Sequence, residues 1–215
     1  MTGFDALLLD FGGVIARTLF ECRADIEVHF ALPRGSLDWF GPLDPSRDEL
    51  WRTVLAGKMG ERDYWREHLA ALGRRTGRSV AMTDIFAALV STDANRLIRP
   101  EAVAAVGKIK AAGYKVGVLT NDLERICGAQ SATRIAILRE VDCVIDGSWS
   151  RVQKPSPEAY TRGLAALGST AARTLFVDDQ PSNVEGAEAV GLARIIFDIC
   201  QPAASFAAVE RCFAI

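Results

Sequence analysis

The sequence predicts an open, mostly parallel α/β sheet covered by helices, with a small all-helical segment inserted after the first strand. Three observations predict it. Short apolar runs recur at Ala6–Leu9, Lys115–Leu119, Cys143–Ile145, Thr174–Val177 and Arg194–Phe197, and Asp10, Thr120-Asn121 and Asp178-Asp179 directly follow the first, second and fourth. From Pro100 onward these runs alternate with stretches of helical apolar spacing. Residues 17–94, in contrast, carry helical spacing with few strand-like runs. Strands alternating with helices bury a parallel sheet between two helical layers.

The first run, Ala6–Leu9, is unbroken and stops at Asp10 and a Gly12-Gly13 turn. An unbroken run fits a strand buried on both faces. Helical spacing follows, as in Leu50, Val54 and Leu55, then Trp65, Leu69 and Leu72, with Pro33, Pro42 and Pro45 punctuating the segment. Trp39, Trp51 and Trp65 lie here and read as its core rather than as stacking surfaces. His29 and His68 read as surface or packing residues. Pro100 suits a first helical position and Gly113 the residue beyond a helix end, with Val103, Val106 and Ile109 as one apolar face. The strand Lys115–Leu119 ends at Thr120-Asn121-Asp122, and a helix and the short strand Cys143–Ile145 follow. Ser156-Pro157-Glu158 starts a helix that stops near Gly168. Thr174–Val177 ends at Asp178-Asp179. Ser182 and Glu185 read as a capping box for the next helix, closed by Gly191 before the last strand.

At 215 residues the chain holds one generous domain, or a core with a modest insertion. It is 49% hydrophobic and 24% charged, the profile of a soluble globular protein. With 25 basic and 27 acidic residues the net charge is −2, which argues against nucleic acid or an acidic membrane surface as partner. The one basic cluster, Arg74, Arg75 and Arg78, reads as a solvated helix end. Five cysteines, Cys22, Cys127, Cys143, Cys200 and Cys212, show no CxxC spacing, so reduced thiols in a cytosol are the simple reading. No apolar run reaches the roughly 18 residues of a membrane span, and a cytoplasmic protein is expected.

Four polar sites punctuate the α/β pattern. Asp10, Thr120-Asn121 and Asp178-Asp179 follow apolar runs, and Lys154 stands just before a helix start. Ligands of open parallel sheets bind beyond the carboxyl ends of the strands, so these distant sites can meet in one crevice. Several carboxylates at one spot repel one another and need a cation. Oxygen-only donors favour magnesium over zinc. Magnesium plus a lysine suits a phosphate dianion, and a free carboxylate can attack phosphorus to give an aspartyl-phosphate that water hydrolyses. A hydroxyl, an amide and an ammonium can hold the transferred oxygens.

The order and neighbours of these residues resemble the haloacid dehalogenase-like superfamily. The matching stretches are Leu8-Leu9-Asp10-Phe11-Gly12-Gly13-Val14, Val118-Leu119-Thr120-Asn121, Lys154-Pro155-Ser156-Pro157 and Val177-Asp178-Asp179-Gln180-Pro181-Ser182-Asn183, with 110, 34 and 24 residues from Asp10 to Thr120, on to Lys154 and on to Asp178. The resemblance implies a Rossmann-like core over residues 1–16 and 95–215 and a helical cap over 17–94. It implies that Asp10 is the nucleophile and a magnesium ligand, that the Gly12 carbonyl is a second ligand, and that Asp178 and Asp179 hold magnesium directly or through water. Thr120 and Asn121 would bind the phosphoryl group, Lys154 would neutralise it and the nucleophile, and Asn183 would orient the last acidic loop.

One position departs from the pattern. Most phosphatases of this superfamily carry an acid–base aspartate two residues after the nucleophile, where this chain has Gly12. Three readings stay open. Some sugar-phosphatase-like members share Asp-x-Gly, and a good leaving group needs little protonation. Asp122 or a cap residue could supply the proton. Or activity is lost. The implied function is hydrolysis of a small phosphomonoester, a sugar phosphate among the options. The alternatives are halide displacement from a 2-haloacid, which needs no magnesium, and a phosphate-binding or regulatory protein without turnover. The sequence leaves monomer and homodimer open.

Overall fold

The structure, a computed structural model, describes residues 3–91, 93–150 and 152–215. The chain divides into two compact units, one of Met1–Arg17 with Ala94–Ile215 and the other of Thr18–Asp93.

Strand β1 (Ala6–Leu9) is wholly buried, as its unbroken apolar run requires. The helical unit follows with α1 (Arg23–His29), α2 (Glu49–Leu55), α3 (Glu61–Thr76) and α4 (Met82–Val90). Its interior is aromatic. Phe20 packs on Trp51 and Trp65 with centroids 5.3 and 5.0 Å apart, Trp39 meets Trp65 edge-on at 5.6 Å, and Tyr64 meets His68 at 4.3 Å. Tyr64, His68 and Leu72 recur at four-residue steps and form the buried stripe of α3. His68 is therefore a packing residue. Leu55, counted with the apolar face from sequence, is 64% exposed at the end of α2. Arg74 and Arg75 do close α3, ahead of the left-handed Gly77.

Buried carboxylates organise this unit. Asp48 caps α2 by accepting the Trp51 amide at 2.8 Å, and also accepts the Gly41 amide at 2.7 Å and the Tyr64 hydroxyl at 2.6 Å. Glu27 accepts the amides of Gly35 and Leu37, each at 2.8 Å. Both acids trade water for several donors, the condition on which a buried charge is tolerated.

The other unit resumes with α5 (Pro100–Ala111), β2 (Lys115–Thr120), α6 (Leu123–Cys127), α7 (Ala129–Ala132), α8 (Ile137–Glu140) and β3 (Cys143–Asp146). It ends with α9 (Pro157–Leu167), β4 (Thr174–Asp178), α10 (Pro181–Ala189), β5 (Ala193–Ile196) and α11 (Pro202–Cys212). All strand pairs are parallel, in the order β3-β2-β1-β4-β5. Side chains alternate across a strand. On one face Ala6, Leu8, Leu119 and Phe176 pack with Ala159, Tyr160 and Leu167 of α9 and Ala187 of α10. Leu7, Leu9, Val116 and Val118 turn the other way.

Pro100, Pro157, Pro181 and Pro202 each open a helix at its first position, where a missing N–H is harmless. Two local expectations are corrected. The Ser182–Glu185 capping box does not form, because α10 starts two residues earlier than that box requires, at Pro181 with Gln180 as its cap and no side-chain cap bond. Val103 is 53% exposed, and the buried face of α5 is Ala102, Ala105, Val106 and Ile109. Among the described residues no helix is long and apolar enough to cross a membrane.

Candidate active site

Strand order places the site. The chain moves from β1 out to β2 and β3, then returns to the other side of β1 with β4. The carboxyl ends of β1 and β4 therefore flank a switch in winding direction, where open α/β sheets leave a crevice. Asp10 follows β1, and Asp178 and Asp179 stand at the end of β4. The Asp10 amide donates to the Val177 carbonyl at 2.9 Å, which ties the two strand ends together.

The structure brings Asp10, Asp178 and Asp179 into one cluster, each offering an oxygen within 4.8 Å of the others. Lys154 is buried and reaches in from the loop before α9. Its Nζ lies 2.7 Å from Asp10 Oδ1 and 2.6 Å from Asp178 Oδ2. The Phe11 amide also donates to Asp10 Oδ1, at 2.7 Å. Both donors thus bind one oxygen of Asp10, and Oδ2 takes neither bond.

Asp178 is held from every side. Asn183 Nδ2 lies 3.1 and 3.0 Å from its two oxygens, and the Gln180 amide donates to Oδ1 at 2.9 Å. Tyr160 in turn donates its hydroxyl to the Asn183 carbonyl at 2.7 Å. Asn183 sits one turn inside α10, so its position five residues after Asp178 carried a signal. Tyr160 carried none, since only the packing of α9 on α10 brings it there.

The electrostatics show a cluster short of positive charge. Burial pushes the Asp10 carboxyl up to about 6, with Lys154 pulling it down and Asp178 pushing it further up. Burial and the charges of Asp10 and Asp178 push Asp179 up to about 7. Burial alone would lower Lys154, but Asp10 and Asp178 outweigh it and hold the ammonium charged. Three carboxylates facing one ammonium leave an excess of negative charge. Oxygen-only donors with such an excess fit a hard divalent cation.

Gly13 shapes the same spot. It has φ +78°, and a Cβ there would lie 2.5 Å from Asp179 Oδ2. Gly12 is different, because a Cβ on it would meet nothing within 4 Å.

Thr120 is buried at the end of β2, and among the described residues its hydroxyl takes no part in the carboxylate–lysine network. The Asn121 side chain meets the backbone of Lys154. Its Oδ1 accepts the Lys154 amide at 2.8 Å, and its Nδ2 donates to the Lys154 carbonyl at 3.0 Å. The side chain grips the lysine's backbone. Asp122 instead meets Arg125, at 3.2 Å. Asp146, not singled out in the sequence, caps α6 from the end of β3 by accepting the amides of Leu123 and Glu124 at 3.2 and 2.9 Å.

A family model described as haloacid dehalogenase-like hydrolase matches residues 4–191. The chain is 36% identical over 100 residues to Phosphatase MT3486 of Mycobacterium tuberculosis, covering 46% of each chain. It is 26% identical over 125 residues to a ribulose-1,5-bisphosphate 5-phosphatase of Halopiger xanaduensis, covering 58% of this chain and 51% of that one. The chain thus spans about half the length of these two curated relatives. Among solved structures, L-2-haloacid dehalogenase from Xanthobacter autotrophicus superposes with a TM-score of 0.57 at 25% identity, covering 89% of this chain and 76% of that one.

Proposed function

The chain belongs to the haloacid dehalogenase-like hydrolases, and from that premise we propose that it is a magnesium-dependent phosphatase acting on a small phosphomonoester through an aspartyl-phosphate on Asp10. The observation that carries the reading is the cluster of Asp10, Asp178 and Asp179 closed by Lys154. The similarity to two phosphatases supports it.

Asp10, Asp178, Asp179 and the Gly12 carbonyl would hold the magnesium ion. When bound, the ion supplies positive charge against the repulsion between Asp10 and the phosphoryl oxygens. Lys154 and the Phe11 amide fix Oδ1 of Asp10, which leaves the carboxylate oriented for in-line attack. The carboxylate oxygen bonds to phosphorus as the ester P–O bond breaks, and the leaving oxygen carries off the electron pair. Water then attacks the aspartyl-phosphate, which frees Asp10 and releases phosphate. Lys154 and the Thr120 hydroxyl stabilise the charge on the transferred oxygens. Asn121 acts on Lys154, holding its backbone in place. With glycine at position 12, the leaving oxygen has no acid from that position, which favours substrates whose leaving group is itself stable, such as glycosyl or acyl phosphates. The helical unit is read as the cap that selects among them.

A second reading is halide displacement by Asp10, favoured by the likeness to the haloacid dehalogenase. The carboxylate cluster weighs against it, since that chemistry needs no cation. The deciding experiment measures phosphate release from sugar 1-phosphates, sugar 6-phosphates, nucleotides and p-nitrophenyl phosphate, with and without magnesium, beside an Asp10→Asn control. Release that requires both magnesium and Asp10 is expected. Halide release from 2-haloacids with no phosphate release would replace the reading.

A further inference from the structure

Two consecutive glycines carry the turn after Asp10. Glycine takes either sign of φ with similar ease, so Gly12-Gly13 is the least restrained backbone beside the carboxylate cluster. The cluster nevertheless demands accuracy there. Gly13 stands at φ +78° against the Asp179 carboxylate, and the Gly12 carbonyl is read as a magnesium ligand. These peptides need an outside restraint to keep one orientation.

The restraint comes from 86 positions away, where Arg99 Nη2 donates to the Gly13 carbonyl at 3.0 Å. Arg99 is the buried cap residue of α5. Its backbone is anchored to the same segment that its side chain restrains. The Arg99 amide donates to the Ile15 carbonyl at 2.9 Å, Ile98 bridges to Ala16, and the Arg17 amide donates to the Leu97 carbonyl at 2.7 Å. The root of the side chain is thus fixed relative to the turn that its tip holds. The guanidinium carbon also stands 5.7 Å from the centroid of the Phe197 ring, within cation–π range. Phe197 follows β5, and its amide donates to the Asp178 carbonyl at 2.9 Å. One buried guanidinium therefore braces the turn after β1 against a residue tied to the end of β4. Its bond to the Gly13 carbonyl is charge-assisted and so stronger than a neutral one.

We propose that Arg99 is a positioning residue for the cation site, acting through the backbone of Gly13. Holding the Gly13–Val14 peptide limits rotation about Gly13. That fixes the Gly12 carbonyl on one side of Gly13 and the clearance to Asp179 on the other. This role presupposes that the carboxylate cluster holds magnesium.

The test is calorimetric titration of magnesium into the full chain for wild type, Arg99→Met, Arg99→Lys and Ile109→Ala. Ile109 is fully buried on α5, so its truncation leaves a cavity and destabilises the same helix without removing a side-chain hydrogen bond. Unchanged near-ultraviolet circular dichroism checks that each variant is folded. Arg99→Met removes the donor and the charge, and is expected to weaken magnesium binding by about tenfold or more, the effect of losing a group that orients metal ligands. Arg99→Lys keeps the charge and one donor group, which lets it fold where the methionine variant does not, and is expected to fall between wild type and that loss. Ile109→Ala is expected to bind magnesium as wild type does. Wild-type affinity in every folded Arg99 variant overturns the positioning role and leaves the magnesium site standing, as does an equal loss in Ile109→Ala. Wild type that binds no magnesium overturns the magnesium reading itself, and the role of Arg99 with it.

Discussion

Lys154 Nζ lies 2.7 Å from Asp10 Oδ1, and the same ammonium reaches Asp178 Oδ2 at 2.6 Å. One buried cation therefore serves two buried anions on neighbouring strands, with Asp179 left over. Removing it by Lys154→Met leaves three carboxylates facing one another. Breaking a buried ion pair from one side costs about 3–5 kcal/mol. The loss should be largest in EDTA and smaller in magnesium, because a bound cation restores part of the missing charge. Urea unfolding of both proteins under both conditions measures this. An equal loss with and without magnesium would mean that the cluster holds no cation. Phosphatase turnover should fall by about 10²–10³ even in magnesium, since a donor to the transferred oxygens is gone.

The two glycines after Asp10 behave in opposite ways. A Cβ at Gly12 meets nothing within 4 Å, whereas one at Gly13 strikes the Asp179 carboxylate at 2.5 Å from a backbone with φ +78°. Gly12→Asp should keep stability within about 0.5 kcal/mol, as expected for a site without contacts. It should raise turnover of esters with poor leaving groups more than of glycosyl phosphates. Gly13→Ala should lose about 1–2 kcal/mol to the left-handed backbone alone. It should also weaken magnesium binding by displacing Asp179. Denaturation curves and a magnesium titration of the pair test both statements. No gain by Gly12→Asp on poor leaving groups counts against a preference for stable leaving groups.

The core unit was legible because its information is local. Ala6–Leu9 is apolar without a break since both faces of β1 are covered, and Asp10 follows because strands of such sheets end at the crevice. Proline at a first helical position marked α5 and α9 for the same local reason. Other features depend on neighbours remote in sequence. Asp146 caps α6 from across 22 and 23 positions, and Asp48 receives Tyr64 from 16 positions away, so neither is readable from spacing. Ser182 and Glu185 had the right spacing for a capping box, but Pro181 moved the helix start past it. Asn121 was recognisable as a site residue, yet its grip on the Lys154 backbone appears only when β2 and the loop before α9 are side by side.

That grip gives Asn121 a distinctive signature. Its side chain makes two hydrogen bonds to the Lys154 backbone, at 2.8 and 3.0 Å. Asn121→Ala should cost about 2 kcal/mol, at about 1 kcal/mol per bond. Because Lys154 then sits less accurately against the developing charge, kcat should fall by about 10–100-fold while KM changes little. A side chain that binds the phosphoryl group directly would instead raise KM and leave stability unchanged. Steady-state kinetics beside urea unfolding separate the two.

Glu27 predicts how the helical unit responds to acid. Burial pushes its carboxyl up, but the amides of Leu37, Gly35 and Ser36 outweigh burial, so the group titrates below its ordinary 4.5. A depressed folded value means that ionised Glu27 contributes its full stability above pH 4.5 and loses it as the pH falls through the folded value. Glu27→Gln keeps the shape but sets an NH2 donor against a loop amide and removes the charge. At pH 7 it should be less stable by about 1.5–3 kcal/mol, the range for hydrogen bonds to a charged group. That gap should hold steady down to about pH 4.5 and shrink below it, as wild type takes up a proton and becomes neutral at this position like the variant. Urea unfolding of the two proteins at pH 7, 5, 4 and 3 gives the gap directly, free of the general acid sensitivity they share. A gap that widens toward low pH would show that the loop amides do not hold Glu27 in its ionised form.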